Sequence, residues 1–145
     1  MTQASTPILP LRMLDKMSTP NYEGSVLQDE ATTTDDTPTT VGILNPSSAW
    51  HGVVSAWLHV YDPSDHAVSA DFELRGRAER DAEGNCTVYS SRILEKECHA
   101  SLMTLSAAIA SISIGNQSYI GIVGFGVAAT NLRWYIQSKH LFGTV

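Results

Sequence analysis

The sequence predicts an all-β fold, an antiparallel β-sandwich or jelly roll of seven or eight strands with an extended N-terminal arm. Three observations lead there. Apolar and polar residues alternate with period two over several stretches, the pattern of strands with one buried face. Clusters of Asp, Asn, Pro and Gly separate those stretches as turns. Residues 1 to 25 carry Pro7, Pro10, Pro20 and Gly24, and proline both removes backbone donors and breaks helices.

Taking the elements in order, residues 1–27 read as the arm and 28–145 as the sandwich. Ile8, Leu9, Leu11 and Leu14 are more aliphatic than a solvated tail needs, so with Tyr22 they are the expected contacts to a partner's surface. Ala31 to Thr40 holds six threonines, whose β-branching favours extended backbone, around a tight connection at Asp35-Asp36-Thr37-Pro38. After the turn chemistry of Asn45 to Ser48, the stretch Ala49 to Tyr61 alternates. Val54, Ala56, Leu58 and Val60 fall on one face, and Ser55, Trp57, His59 and Tyr61 on the other.

Asp62 to Asp65 is a second turn, and His66 to Arg77 is the cleanest half-buried strand, with Val68, Ala70, Phe72 and Leu74 opposed to Ser69, Asp71, Glu73 and Arg75. Gly84-Asn85 signals a hairpin into a strand from Cys86 to Leu94. Ala100 to Ile114 fits both helical and strand spacing. The turn Gly115-Asn116-Gln117 needs an incoming strand, which favours strand. Ser118 to Phe125 and Ala129 to Gln137 complete the set, the latter with Leu132, Trp134 and Ile136 on one face.

Composition narrows the function. Charged residues make up 17% of the chain against roughly 25% in ordinary soluble domains, so some surface is expected to be covered. The net charge is −6 and Arg75, Arg77, Arg80, Arg92 and Lys96 are interleaved with acids, which leaves no basic stripe for nucleic acid. No basic start followed by an apolar run, and no apolar run long enough for a membrane span, points to export or to a membrane. Cys86 and Cys98 match neither a redox nor a zinc pattern. They read as buried thiols, with a disulfide between neighbouring strands as the alternative.

No arrangement of residues argues for catalysis, for a metal or for a cofactor. His51, His59, His66, His99 and His140 lack ligand spacing, and no serine sits in a Gly-x-Ser-x-Gly elbow. Asp62, Asp65 and Asp71 lie in or beside a turn and read as solvated. Gly121, Gly124 and Gly126 lack the context of a phosphate cradle and read as bends or bulges in a strand. Trp50, Trp57 and Trp134 with Tyr61 offer rings for a sugar-binding surface, but Trp and Tyr more often anchor cores and protein interfaces, and Trp50, Trp57 and Tyr61 are the aromatics expected at an interface.

The order of these signals resembles a β-sandwich module of tailed-bacteriophage structural proteins, found in tail fibres and in capsid decoration, or cement, proteins. The resemblance rests on Thr32 to Thr40, the strands Val53 to Tyr61 and Ala67 to Arg77, and Val123-Gly124 followed by Asn131-Leu132-Arg133-Trp134. It covers about residues 28 to 137, and Lys96 to Leu105 departs from it by lacking a Gly-rich hairpin. It implies a virion component without catalytic residues. A chain offering only an arm and one sandwich is expected to be a capsid decoration protein: a homotrimer on the capsid surface that binds the major capsid protein. The alternative is a tail-fibre or tail-tip protein that binds host-surface glycan through Trp50, Trp57 and Tyr61.

Overall fold

The structure, a computed structural model, describes residues 21–44 and 49–144. Among them eight strands form two antiparallel sheets, as the alternation predicts. The strands are β1 (Asn21–Thr33), β2 (Pro38–Leu44), β3 (Trp50–Asp62), β4 (Asp65–Arg80), β5 (Cys86–Cys98), β6 (Ser106–Ile114), β7 (Gln117–Phe125) and β8 (Leu132–Thr144). The larger sheet runs β1-β8-β3-β4-β5 and the smaller β2-β7-β6. The chain therefore changes sheet after β1, β2, β5 and β7, and β8 returns to insert between β1 and β3.

The turns carry the chemistry their sequences announce. Asp35 Oδ1 accepts from the Thr37 amide at 2.9 Å, and Asp62 Oδ1 accepts from the Ser64 amide at 2.8 Å and the Ser64 hydroxyl at 2.7 Å. Asp81 Oδ1 accepts from the amides of Glu83 and Asn85, and Gly84 turns the chain at φ 89°, which an L side chain would resist. The ambiguous segment divides. Ala100–Leu102 is a 3-10 turn capped by His99, and the strand begins only at Ser106. Lys96 Nζ ties this crossing together by donating to the carbonyls of Met103 at 2.9 Å and Leu105 at 2.6 Å. The connection changes sheets, so no hairpin glycines are needed. Ala129 takes φ 54° in the left-handed region, which ends the extended run and delays the last strand to Leu132.

The core lies between the sheets. Val54, Ala56, Leu58 and Val60 of β3, Ala70, Phe72 and Leu74 of β4, and Leu132, Trp134 and Ile136 of β8 face Val41, Leu44, Ala107, Ile109, Ile120 and Ile122 of the smaller sheet. Trp134 is the pivot. Its indole Nε1 donates to Thr33 Oγ1 at 2.9 Å in a buried bond, and its ring meets Phe72 edge-on at 6.2 Å.

Several expectations are corrected. Trp50 is fully buried, because it shares its parity along β3 with Val54, so it is a core residue and offers nothing to a partner. Gly121, Gly124 and Gly126 are glycines through close approach: an added Cβ would collide with Ile112, with Trp134 and with the Asp35 carbonyl. The irregularity in that sheet falls instead between Thr40 and Gly42 of β2. Both cysteines are free, Cys86 buried and Cys98 exposed. They end the same strand, roughly 40 Å apart at strand rise, so no disulfide joins them. β1 begins at Asn21, inside the span assigned to the arm, and Tyr22 stands opposite Leu141 of β8. Ile8, Leu9, Leu11 and Leu14 lie outside the described residues.

Candidate functional site

The face of the larger sheet turned away from the core carries the polar set of each strand, and pairing register decides which of these residues meet. Two adjacent rungs cross β8, β3, β4 and β5. One is Tyr135, His59, Asp71 and Glu97; the other is Gln137, Trp57, Glu73 and Glu95. All eight line one cleft of about 530 Å³. Leu58, Phe72 and Ile136 also border it, and since their side chains are buried in the core, their backbone forms its floor.

Glu95 and Glu97 reach these rungs through a bulge. The register of β4 with β5 shifts between Glu73 and Leu74, leaving Leu94 as the extra residue, and shifts again between Arg77 and Ala78, leaving Tyr89. Past Leu94, the two glutamates come to stand opposite Glu73 and Asp71. Like charges in direct cross-strand contact oppose folding, so the two pairs are a cost that the fold itself does not require.

His59, Tyr61, His66 and Tyr135 form a connected wall of rings. Trp57 is 40% exposed. His59 stacks on Tyr61 with centroids 5.5 Å apart, Tyr61 lies 5.7 Å from Tyr135, and the two phenol oxygens are 3.3 Å apart. His66 meets Tyr61 edge-on at 5.1 Å. His59 Nδ1 and Asp71 Oδ1 are hydrogen-bonded at 2.7 Å, and Arg75 Nη2 approaches Glu73 Oε2 at 3.7 Å. The hydrogen bond to Tyr61, then that to Glu30 and the Glu30 charge, raise the Tyr135 phenol above its ordinary value. One rung further along the strands the sign reverses, with Lys139, Ser55, Arg75 and Arg92 in line.

Of the residues singled out from sequence, Trp57 lines the cleft, Tyr61 packs beside it and Trp50 does not take part. Asp62 and Asp65 cap turns, as expected. Asp71 does not: it sits within β4 and faces the cleft. Glu73, Glu95, Glu97, Tyr135 and Gln137 were not anticipated. The parity of β4 and β8 places Glu73, Tyr135 and Gln137 outward, whereas the position of Glu95 and Glu97 depends on the bulge. Among the described residues no group of three His, Cys, Asp or Glu side chains is arranged to hold a metal ion.

Such a surface combines flat apolar rings with carboxylate acceptors and a few neutral donors, the chemistry that stacks on a sugar ring and bonds its hydroxyls. No protein-family model matches the chain. No curated protein matches it either. Among solved structures it is similar to the tailspike protein of Acinetobacter baumannii phage AM24, with 10% identity and a TM-score of 0.44 over 83% of this chain and 26% of that one. It is also similar to the tailspike protein of Acinetobacter phage vB_ApiP_P1, with 11% identity and a TM-score of 0.47 over 99% of this chain and 30% of that one. The chain thus spans less than a third of either tailspike.

Proposed function

We propose that this chain is a structural component of a phage virion, placed at the tail, that binds a surface saccharide on the outer face of its larger sheet. The observation that carries the binding is the pair of rungs that gathers Trp57, His59, Tyr135 and Gln137 with four carboxylates around one open cleft. The virion context rests on the sequence resemblance of the threonine-rich opening and the closing Trp strand.

The cleft binds rather than cleaves in this reading. A glycoside hydrolase needs one carboxyl kept protonated by apolar enclosure. Asp71, Glu95 and Glu97 are exposed, and Glu73 is ion-paired to Arg75. Trp57→Ala tests the site. It should weaken binding to host-surface polysaccharide by at least about tenfold, as loss of an exposed stacking ring does, while the melting curve stays in place. Unchanged binding by a folded variant would remove the cleft from consideration, and release of new reducing ends from the polysaccharide would reassign the chain as an enzyme.

Capsid decoration remains a second reading because of a different surface. Tyr89, Ile93 and Leu94 are exposed on β5, the edge of the larger sheet, with Tyr89 and Leu94 pushed out by the two bulges. Exposed apolar residues on a bulged edge suit contact with protein more than with sugar. The distribution of the protein on an imaged particle separates the readings, since a cement protein covers the shell and a tail protein occurs in few copies at one vertex.

A further inference from the structure

We infer that the saccharide taken by this cleft carries free, protonated amino groups seated over the two acidic rungs; this rests on the saccharide-binding reading above. The cleft is lined by Asp71, Glu73, Glu95 and Glu97 and by no lysine or arginine. An ionised carboxylate only accepts hydrogen bonds, so the site is rich in acceptors and short of donors, which are limited to the Trp57 indole, His59 and the Gln137 amide, the Tyr135 hydroxyl being turned to Glu30. A neutral sugar offers hydroxyls that both donate and accept. An ammonium offers donors alone, together with the charge that the carboxylates lack.

The carboxylates are not consumed by the fold. His59 takes one oxygen of Asp71 and Arg75 approaches Glu73, whereas Glu95 and Glu97 have neither an ion-pair nor a hydrogen-bond partner among the described residues. Each stands opposite another carboxylate, Glu95 facing Glu73 and Glu97 facing Asp71. A ligand cation between the strands relieves both repulsions at once. A divalent metal ion does not meet the same need, because no three of these groups are arranged to coordinate one. Trp57, beside Glu73, adds an aromatic face to which an ammonium is attracted and against which its sugar ring stacks. The basic rung of Lys139, Arg75 and Arg92 bounds the acidic pair, so a cationic group shifted one step along the strands meets repulsion. The charge pattern therefore fixes where the amino group sits as well as its sign.

Titration calorimetry with the full chain tests this, using a short oligomer of glucosamine, the matching oligomer of N-acetylglucosamine, and oligolysine, at about pH 6 where amines are protonated. The glucosamine oligomer should bind at least about tenfold more tightly than its acetylated counterpart, with a preference that shrinks as salt is raised. Glu95→Gln with Glu97→Gln, exposed positions whose exchange leaves the core intact, should cut that preference to roughly twofold while Trp57→Ala weakens both sugars. Equal or tighter binding of the acetylated oligomer overturns the amino-group inference and leaves the saccharide site standing. Failure of both sugars to bind overturns the site itself. Oligolysine binding as tightly as the glucosamine oligomer would mean that the cleft selects basic peptide, and would overturn both.

Discussion

The two faces of the larger sheet are built from alternate residues of the same strands, and they obey opposite rules. On the inner face the groups are fitted to one another: Trp134 bonds Thr33, its ring meets Phe72, and Gly124 leaves it room. On the outer face Trp57 is 40% exposed and like charges confront one another across β4 and β5. One face lowers the free energy of folding. The other holds groups in arrangements that folding alone would not choose, as the proposed saccharide site requires. Substitutions at neighbouring positions of one strand should therefore change different observables.

The largest effect is expected at the inner face. Trp134→Ala removes a fully buried indole and leaves Thr33 Oγ1 without its donor, and should destabilise by about 3–5 kcal/mol in denaturant unfolding. Gly124→Ala attacks the same contact from the smaller sheet. A Cβ there would lie 2.9 Å from Trp134 Cη2, an overpacking expected to cost about 1–3 kcal/mol. The double variant should cost less than the sum, because a lost indole makes space for the methyl. Strict additivity would mean that Gly124 is constrained by something other than the tryptophan.

This contrast also marks what the sequence could and could not disclose. Alternation in β3, β4 and β8 is enough to assign the inner face residue by residue, and it even separates Trp50 from Trp57, which have opposite parity on one strand. Reading both as interface aromatics set residue type above parity. The β5 carboxylates of the cleft were out of reach for another reason. Glu95 and Glu97 join Asp71 and Glu73 only because β5 carries an extra residue at Leu94. A bulge depends on how two strands meet, and a single strand's pattern does not record it. The 3-10 turn at Ala100–Leu102 escaped for a similar reason, since Lys96 stabilises it through carbonyls that follow it in the chain.

A smaller effect, of opposite sign, is expected on the outer face. Glu95→Gln with Glu97→Gln removes two carboxylates from direct cross-strand repulsion, so Tm should rise, by about one to two degrees. The gain should fade in high salt, where the repulsion is already screened. A fall in Tm would show that these glutamates serve the fold, and the division of labour between the faces would lose its sharpest support.

The smallest effect concerns Tyr135 of β8, where the aromatic wall meets Glu30 of the edge strand β1. Its phenol is raised above the ordinary value of 10.0 chiefly by the hydrogen bond with Tyr61, and further by Glu30. The folded state thus keeps the proton to higher pH than the unfolded chain does. The associated stability is fully present below the unfolded value and is lost as pH rises through the folded one. In a phenolate absorbance titration, Tyr61→Phe should bring the Tyr135 transition down the most and Glu30→Gln by a lesser step, with neither changing the melting curve at neutral pH. A transition that stays put in both variants would mean that Tyr135 is held by the core side of the sheet, and that the wall of rings is an extension of the inner face and no part of the cleft.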